Sequence, residues 1–155
     1  MCIRDSTKAG KEALYLFCET SYNPKNTKSV KHIKMNGRKV YEFAISNIPR
    51  ALKKCLEDSG KNIDDVKKIF LHQANEKLDE AVLKYFYKQF NKEIPENIMP
   101  ISVDIYGNSS VATIPTLYDE VLKTKFKGHN LKKGDVILFA SVGAGMNINA
   151  LTYQL

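Results

Sequence analysis

A chain of 155 residues, 43% hydrophobic and 26% charged, has room for one globular unit. Such a unit buries roughly two thirds of its unfolded surface, so its core calls for no metal or disulfide staple. No apolar run nears the roughly eighteen residues that cross a bilayer, and three cysteines, Cys2, Cys18 and Cys55, without C-x-x-C spacing, argue against a disulfide framework or a zinc site and fit a reducing cytoplasm.

Lysine and arginine outnumber aspartate and glutamate 24 to 17, and the formal charge of +7 favours acidic partners by long-range attraction. The lysines are scattered, with doublets at Lys53-Lys54, Lys67-Lys68 and Lys132-Lys133. Without a polybasic arm or an aromatic ladder, they do not point to nucleic acid.

At the N-terminus, Met1-Cys2-Ile3-Arg4-Asp5-Ser6 has no apolar signal-peptide region and fits neither a helix nor a strand pattern. It reads as the scar of a truncated or mis-joined reading frame. Ala13 to Thr20 reads as a strand and the polar stretch Ser21 to Lys34 as a loop. Residues 1–34 are therefore set apart from a domain spanning 35–155. From Lys39 to Ser59, Phe43, Ala44, Ile48, Leu52, Cys55 and Leu56 recur at helical spacing, with Pro49 as a kink and Gly60 as a stop.

Ile69-Phe70-Leu71 reads as a short strand ending at His72, and Asn75 as the N-cap of a second helix whose apolar face is Leu78, Ala81, Val82, Tyr85, Phe86 and Phe90. Ile101, Val103 and Ile105 alternate as a strand. Ser109 or Ser110 then caps a third helix carrying Val111, Ile114, Leu117, Val121 and Leu122. Val136 to Val142 is a continuous apolar strand, joined through Gly143-Ala144-Gly145 to a last strand over Met146–Leu155. Strands alternating with helices predict an α/β fold with a mainly parallel sheet, to which the C-terminal hairpin adds an antiparallel strand.

Three polar or glycine-rich segments follow the expected strands: His72-Gln73-Ala74-Asn75, Gly107-Asn108-Ser109 and Gly143-Ala144-Gly145. In a parallel sheet the carboxyl ends lie on one side, so these segments are expected to converge there. Each also has a bland reading, as a structural histidine, an Asn turn and a hairpin turn. His32 and His129, in polar loops, are expected to face solvent. No zinc-protease helix, nucleophile elbow or phosphate loop is present, and Asp64-Asp65 and Asp119-Glu120 read as capping and solvating groups.

His72-Gln73-Ala74-Asn75, together with Tyr106-Gly107-Asn108-Ser109-Ser110-Val111-Ala112-Thr113-Ile114-Pro115, resembles the C-terminal half of the beta-ketoacyl-acyl-carrier-protein synthase III family, condensing enzymes of the thiolase superfamily. Met35-Asn36-Gly37-Arg38-Lys39-Val40-Tyr41-Glu42-Phe43 resembles the segment that opens this half, and Gly143-Ala144-Gly145 stands where the family has its terminal glycine loop. The resemblance implies half of a thiolase-like fold. It also implies a cytoplasmic acyltransferase of fatty acid biosynthesis that condenses an acyl-CoA with malonyl carrier protein and needs no cofactor or metal.

By that resemblance His72 and Asn108 donate hydrogen bonds to a thioester oxygen as it becomes an enolate, and the glycine loop offers a backbone N–H at Ala144, whose methyl replaces a family glycine in a tight place. Lys77 falls where the family has an arginine meeting carrier protein or coenzyme A, and it lacks the bidentate fork. The acyl carrier protein and acyl-CoA are the implied partners, neither membrane nor nucleic acid is involved, and the full-length enzyme would be a homodimer. The family's nucleophilic cysteine belongs to the N-terminal half, which this chain lacks, and none of Cys2, Cys18 or Cys55 sits where it could replace it. The chain is thus expected to be catalytically silent alone and prone to self-association through the face the other half would cover. Alternatives are a secondary-metabolism condensing enzyme and a non-catalytic, carrier-binding partner of the same fold.

Overall fold

The computed structural model describes residues 10–26, 28–123 and 125–155, together with the backbone of Cys2–Arg4. Six strands, β1 (Cys2–Arg4), β2 (Leu16–Glu19), β3 (His32–Met35), β4 (Val66–Leu71), β5 (Val136–Gly143) and β6 (Asn147–Gln154), combine with α1 (Gly37–Asp58), α2 (Glu76–Lys88), α3 (Val103–Tyr106) and α4 (Thr113–Leu122). The main sheet has the order β1-β6-β5-β4, and β2 and β3 form a separate hairpin. Among the described strands of this mixed sheet only β4 and β5 pair in parallel, in register from Lys68 opposite Ile137 to Leu71 opposite Ala140, with a shift of register between Val66 and Lys68. The β5–β6 hairpin is antiparallel along its whole length, as expected.

Alternation along the strands sorts side chains onto two faces. Ile69, Leu71, Leu138, Ala140, Ile148 and Ala150 face α1 and α2, joining Leu52, Leu56, Val82 and Phe86 in the larger core cluster. Phe70 and Ile137 face the other way, against Leu117 and Val121 of α4. The outer edge of β4 is met by an irregular segment, with Ile69 N–H donating to the Ile98 carbonyl at 2.9 Å.

Asn36 caps α1, its side chain accepting the Lys39 N–H at 3.2 Å. The helix runs through Pro49 without interruption and ends at Asp58, with Gly60 beyond it at φ +69°. Before the proline, Ser46 Oγ and Asn47 Nδ2 donate to the carbonyls of Glu42 and Phe43, local bonds of the kind that let a helix absorb a bend.

Several expectations need correction. Cys2–Arg4 is a strand, paired antiparallel with Ala150–Thr152, although the first six residues fit no pattern; Met1, Asp5 and Ser6 lie outside the described residues. Residues 12–15 form a single 3-10 turn before β2 starts, and the expected loop ends in β3, whose Lys34 is buried with its ammonium 3.1 Å from the Tyr22 ring centroid. A lysine whose stem is buried and whose charge sits on an aromatic face breaks the alternation that marks a strand.

Val103 and Ile105 belong to a helical turn rather than a strand: Tyr106 N–H and Gly107 N–H bond back to the carbonyls of Ser102 and Val103, and Gly107 at φ +65° ends it. On α2 the buried stripe includes Leu83 and Tyr87 and leaves Tyr85 46% exposed. α4 starts at Thr113 without a side-chain cap from Ser109 or Ser110, and Val111 is exposed. His129 is half-buried, against the expectation of solvent exposure, and burial, with Lys68 adding, lowers its pKa. Among the described residues no helix is long and apolar enough to cross a membrane, and no three metal-ligating side chains cluster.

Candidate active site

β4 ends at Leu71, and the next residue continues its ladder, His72 N–H donating to the Ala140 carbonyl of β5 at 3.0 Å. The chain leaves the sheet immediately after, because Asn75 turns outward to cap α2, accepting the Leu78 N–H at 3.2 Å. Between them Gln73 is fully buried, and its amide serves as a strut: Nε2 donates to the Leu71 carbonyl at 3.2 Å while Oε1 accepts the Ser102 N–H at 2.9 Å. The strut ties the end of β4 to the start of α3, and α3 delivers Gly107 and Asn108. This is why Asn108 arrives beside His72 although no strand precedes it.

His72, Asn108 and Ala144 line one cavity of about 560 Å³, whose apolar wall includes Val111, Ile114 and Val142 and whose flank is closed by Leu16 and Ile33 of the β2–β3 hairpin. The three expected segments therefore meet, two from strand ends and one from a helical turn. Ala144 is exposed on the rim, so within this chain its methyl meets no crowding. Lys77, in the first turn of α2, is exposed and does not line the cavity. Neither Cys18, exposed on β2, nor Cys55, buried on α1 with its sulfur 3.3 Å from Thr152 Oγ1, reaches the cavity.

A residue passed over in the sequence links the two polar groups. Asn108 Oδ1 accepts the Ser110 N–H at 2.9 Å, the Ser110 carbonyl accepts the Thr113 hydroxyl at 2.9 Å, and Thr113 Oγ1 lies 2.8 Å from His72 Nδ1. Ser110 holds φ +56°, uncommon for a residue with a side chain, which turns the backbone between Asn108 and Thr113. With Oδ1 occupied, the Asn108 NH2 is left as the donor end of the amide. Burial lowers the pKa of His72 below its ordinary value, so the ring is neutral near pH 7.

A parallel β–α–β unit beside an antiparallel hairpin is the architecture of one half of a thiolase-like fold. Residues 56–155 match the family described as 3-oxoacyl-[acyl-carrier-protein] synthase III C terminal, and the chain belongs to that family. It is 37% identical over 122 residues to the beta-ketoacyl-[acyl-carrier-protein] synthase III of Porphyra umbilicalis, covering 79% of this chain and 34% of that protein. To the synthase III of Lactobacillus helveticus it is 33% identical, covering 76% of this chain and 33% of that one.

The solved synthase III of Thermus thermophilus superposes with a TM-score of 0.80 at 25% identity, covering 99% of this chain and 45% of that chain. A priming beta-ketosynthase from the R1128 polyketide pathway shares the fold with a TM-score of 0.81 at 19% identity, covering 99% of this chain and 44% of its own. The chain thus spans about a third of the length of the curated relatives it matches.

Proposed function

We propose that this chain is the C-terminal half of a cytoplasmic condensing enzyme of fatty acid biosynthesis, in which an acyl group carried on a cysteine of the remaining half is attacked by the carbanion from malonyl carrier protein. What supports the reading is the convergence of His72, Asn108 and the Gly143-Ala144 turn on one cavity in a chain of this family. Decarboxylation of a malonyl thioester leaves charge on the thioester oxygen. A fixed donor in an apolar-walled site, closed off from water by the other half, stabilises that charge without reorganising. Asn108 meets the demand as a neutral donor; His72 donates only with a proton on Nε2.

The Ala144 N–H would serve the oxyanion at the acylated cysteine. Lys77, exposed in the first turn of α2, would meet the acidic carrier protein or the phosphates of acyl-CoA, and the completed enzyme would dimerise and need no metal or cofactor. Alone, the chain would be silent, because the described cysteines lie away from the cavity.

The test joins this chain to the cysteine-bearing half of a relative and follows carbon dioxide released from malonyl carrier protein in the presence of acetyl-CoA. The joined enzyme is expected to be active and the single chain inactive, with His72→Ala and Asn108→Ala each lowering decarboxylation by about 10²–10³-fold. Unchanged rates in both variants would remove the assigned roles. Carrier-protein binding without decarboxylation would favour a non-catalytic partner of the same fold.

A further inference from the structure

Two lysine doublets far apart in the sequence, Lys67-Lys68 and Lys132-Lys133, contribute to one cavity at the amino end of β4 and β5. Lys67, Lys68 and Lys132 line it with Gly128, Asn130 and Asp135, around a volume of about 250 Å³. Along β4 it lies about 13 Å from His72, at the opposite end of the strand. Consecutive strand residues ordinarily point to opposite faces, which would separate Lys67 from Lys68. Here the register shifts: Val66 opposes Val136 and Lys68 opposes Ile137, which leaves Lys67 as the extra residue of a bulge. The bulge re-aims the pair, and both side chains reach the same cavity. On the facing wall Gly128 holds φ +83°, a conformation glycine adopts freely, and it brings the chain close to the Asn97 side chain.

The polar groups around this cavity are not all satisfied. Lys68 is 4% exposed, and its ammonium, with three hydrogens to donate, has one acceptor among the described residues, the Asn97 carbonyl. None of the three lysines is ion-paired to a carboxylate among the described residues. Asp135 instead accepts the Lys132 N–H at 2.9 Å. Next to Gly128, the buried Nδ1 of His129 has no hydrogen-bond partner among the described residues either. An exposed lysine satisfies its charge with water, but a buried ammonium short of acceptors is costly.

We propose that this cavity is a binding site for a phosphate-class dianion, free or as the phosphomonoester end of a small molecule, with Lys68 as its buried anchor and Lys67 and Lys132 at its rim. Three lysines against one aspartate leave two positive charges in excess, which a dianion matches. Its several acceptor oxygens take the Lys68 hydrogens that Asn97 leaves unused and face the two exposed lysines. The site lies away from the His72 cavity and requires no condensing chemistry, so it stands or falls independently of the proposed reaction.

The test is a titration of the isotopically labelled chain, at mildly alkaline pH and fixed ionic strength, read by amide chemical shifts. Inorganic phosphate and glycerol phosphate are the two probes, and chloride is the control. Saturable shifts are expected at Lys67, Lys68, Gly128, Asn130 and Lys132 with phosphate, with its ester or with both, and none with chloride. The tighter of the two probes then names the source, free phosphate or a phosphorylated small molecule. Lys67→Gln and Lys132→Gln, at exposed positions, should each weaken binding by about tenfold, and Lys68→Met, which keeps the buried stem, should abolish it. If Lys68→Met does not fold, the two rim variants still decide. Shifts matched by chloride and spread over lysines throughout the chain would overturn the proposal, as would unchanged affinity in both rim variants. Saturation centred on His72 and Asn108 would overturn it as well, by moving the anion to the other cavity.

Discussion

On one face of the β1-β6-β5-β4 sheet, α1 and α2 enclose eighteen buried residues of the described chain in a single cluster. On the other, α4 with Leu117 and Val121, joined by Phe126 and Leu131 of the segment after it, packs on Phe70 and Ile137 and leaves a shallow apolar hollow of about 220 Å³ beside Phe139 and Leu151. Val111, which lines the cavity that holds His72 and Asn108, is 90% exposed. The difference teaches where stability and function reside. The α1–α2 face holds the larger buried core, and the α4 face, beside which the proposed site lies, is the less covered of the two.

The sharpest test of that division compares two phenylalanines. Phe86 is fully buried on the α1–α2 side, and Phe86→Ala is expected to cost about 3–5 kcal/mol in urea unfolding, through lost transfer energy and a cavity. Phe139 is only partly buried against α4, and Phe139→Ala is expected to cost about half as much. Equal costs would mean that the α4 face is covered in solution. Sedimentation would then show whether the cover is a second copy of the chain.

A second effect, small per pH unit and spread over a wide pH range, comes from a flaw in the finished face. Asp79 of α2 is 3% exposed, its Oδ2 has no hydrogen-bond partner among the described residues, and burial, reinforced by Glu76, pushes its pKa up to about 8. In the unfolded chain it ionises near about 3.9. Below that value both states hold the proton and folding carries no penalty. Between there and about pH 8 unfolding releases a proton, so stability falls as pH rises, by at most about 1.4 kcal/mol per unit. Asp79→Asn should flatten this part of the curve and be the more stable protein at its alkaline end. Parallel curves for the two proteins would show the carboxylate to be solvated or paired after all.

How far the sequence carries the fold varies in the same way between regions. Long periodic segments are legible: α1 from its apolar spacing, Asn75 from its capping chemistry and the β5–β6 hairpin from its continuous apolar strands, each a local signal strong enough to stand alone. Ile101, Val103 and Ile105 mislead because three alternating residues fit a strand and a helical turn equally well, and the deciding bond, from Ser102 N–H to Gln73, is made across the fold. Lys34 hides β3 for a related reason, since its burial depends on the Tyr22 ring. At the site, His72, Asn108 and Ala144 stand out as residues that suit chemistry at the ends of elements. Gln73 and Thr113 do not, although a threonine three residues beyond Ser110 is the one local sign that its hydroxyl can reach that carbonyl.

The smallest expected effect lies at the boundary between the two faces, where His72 leaves β4. Burial lowers its pKa, so the native ring stays neutral at pH values where the unfolded histidine, near about 6.5, has taken up a proton. Stability is therefore complete above that value and falls as pH drops through it toward the lower native pKa, the opposite sense to Asp79. His129, also lowered chiefly by burial, adds a contribution of the same sign, so His72→Gln should remove part of the acid-side loss and His129→Gln another part. Both rings are half-buried and remain partly hydrated, which keeps each share below that of Asp79. Unfolding curves followed from neutral to mildly acid pH separate the three. Should His72→Gln leave the acid limb unchanged while His129→Gln abolishes it, the His72 ring is hydrated in the open cavity, and the α4 face is more exposed around the site than its apolar wall implies.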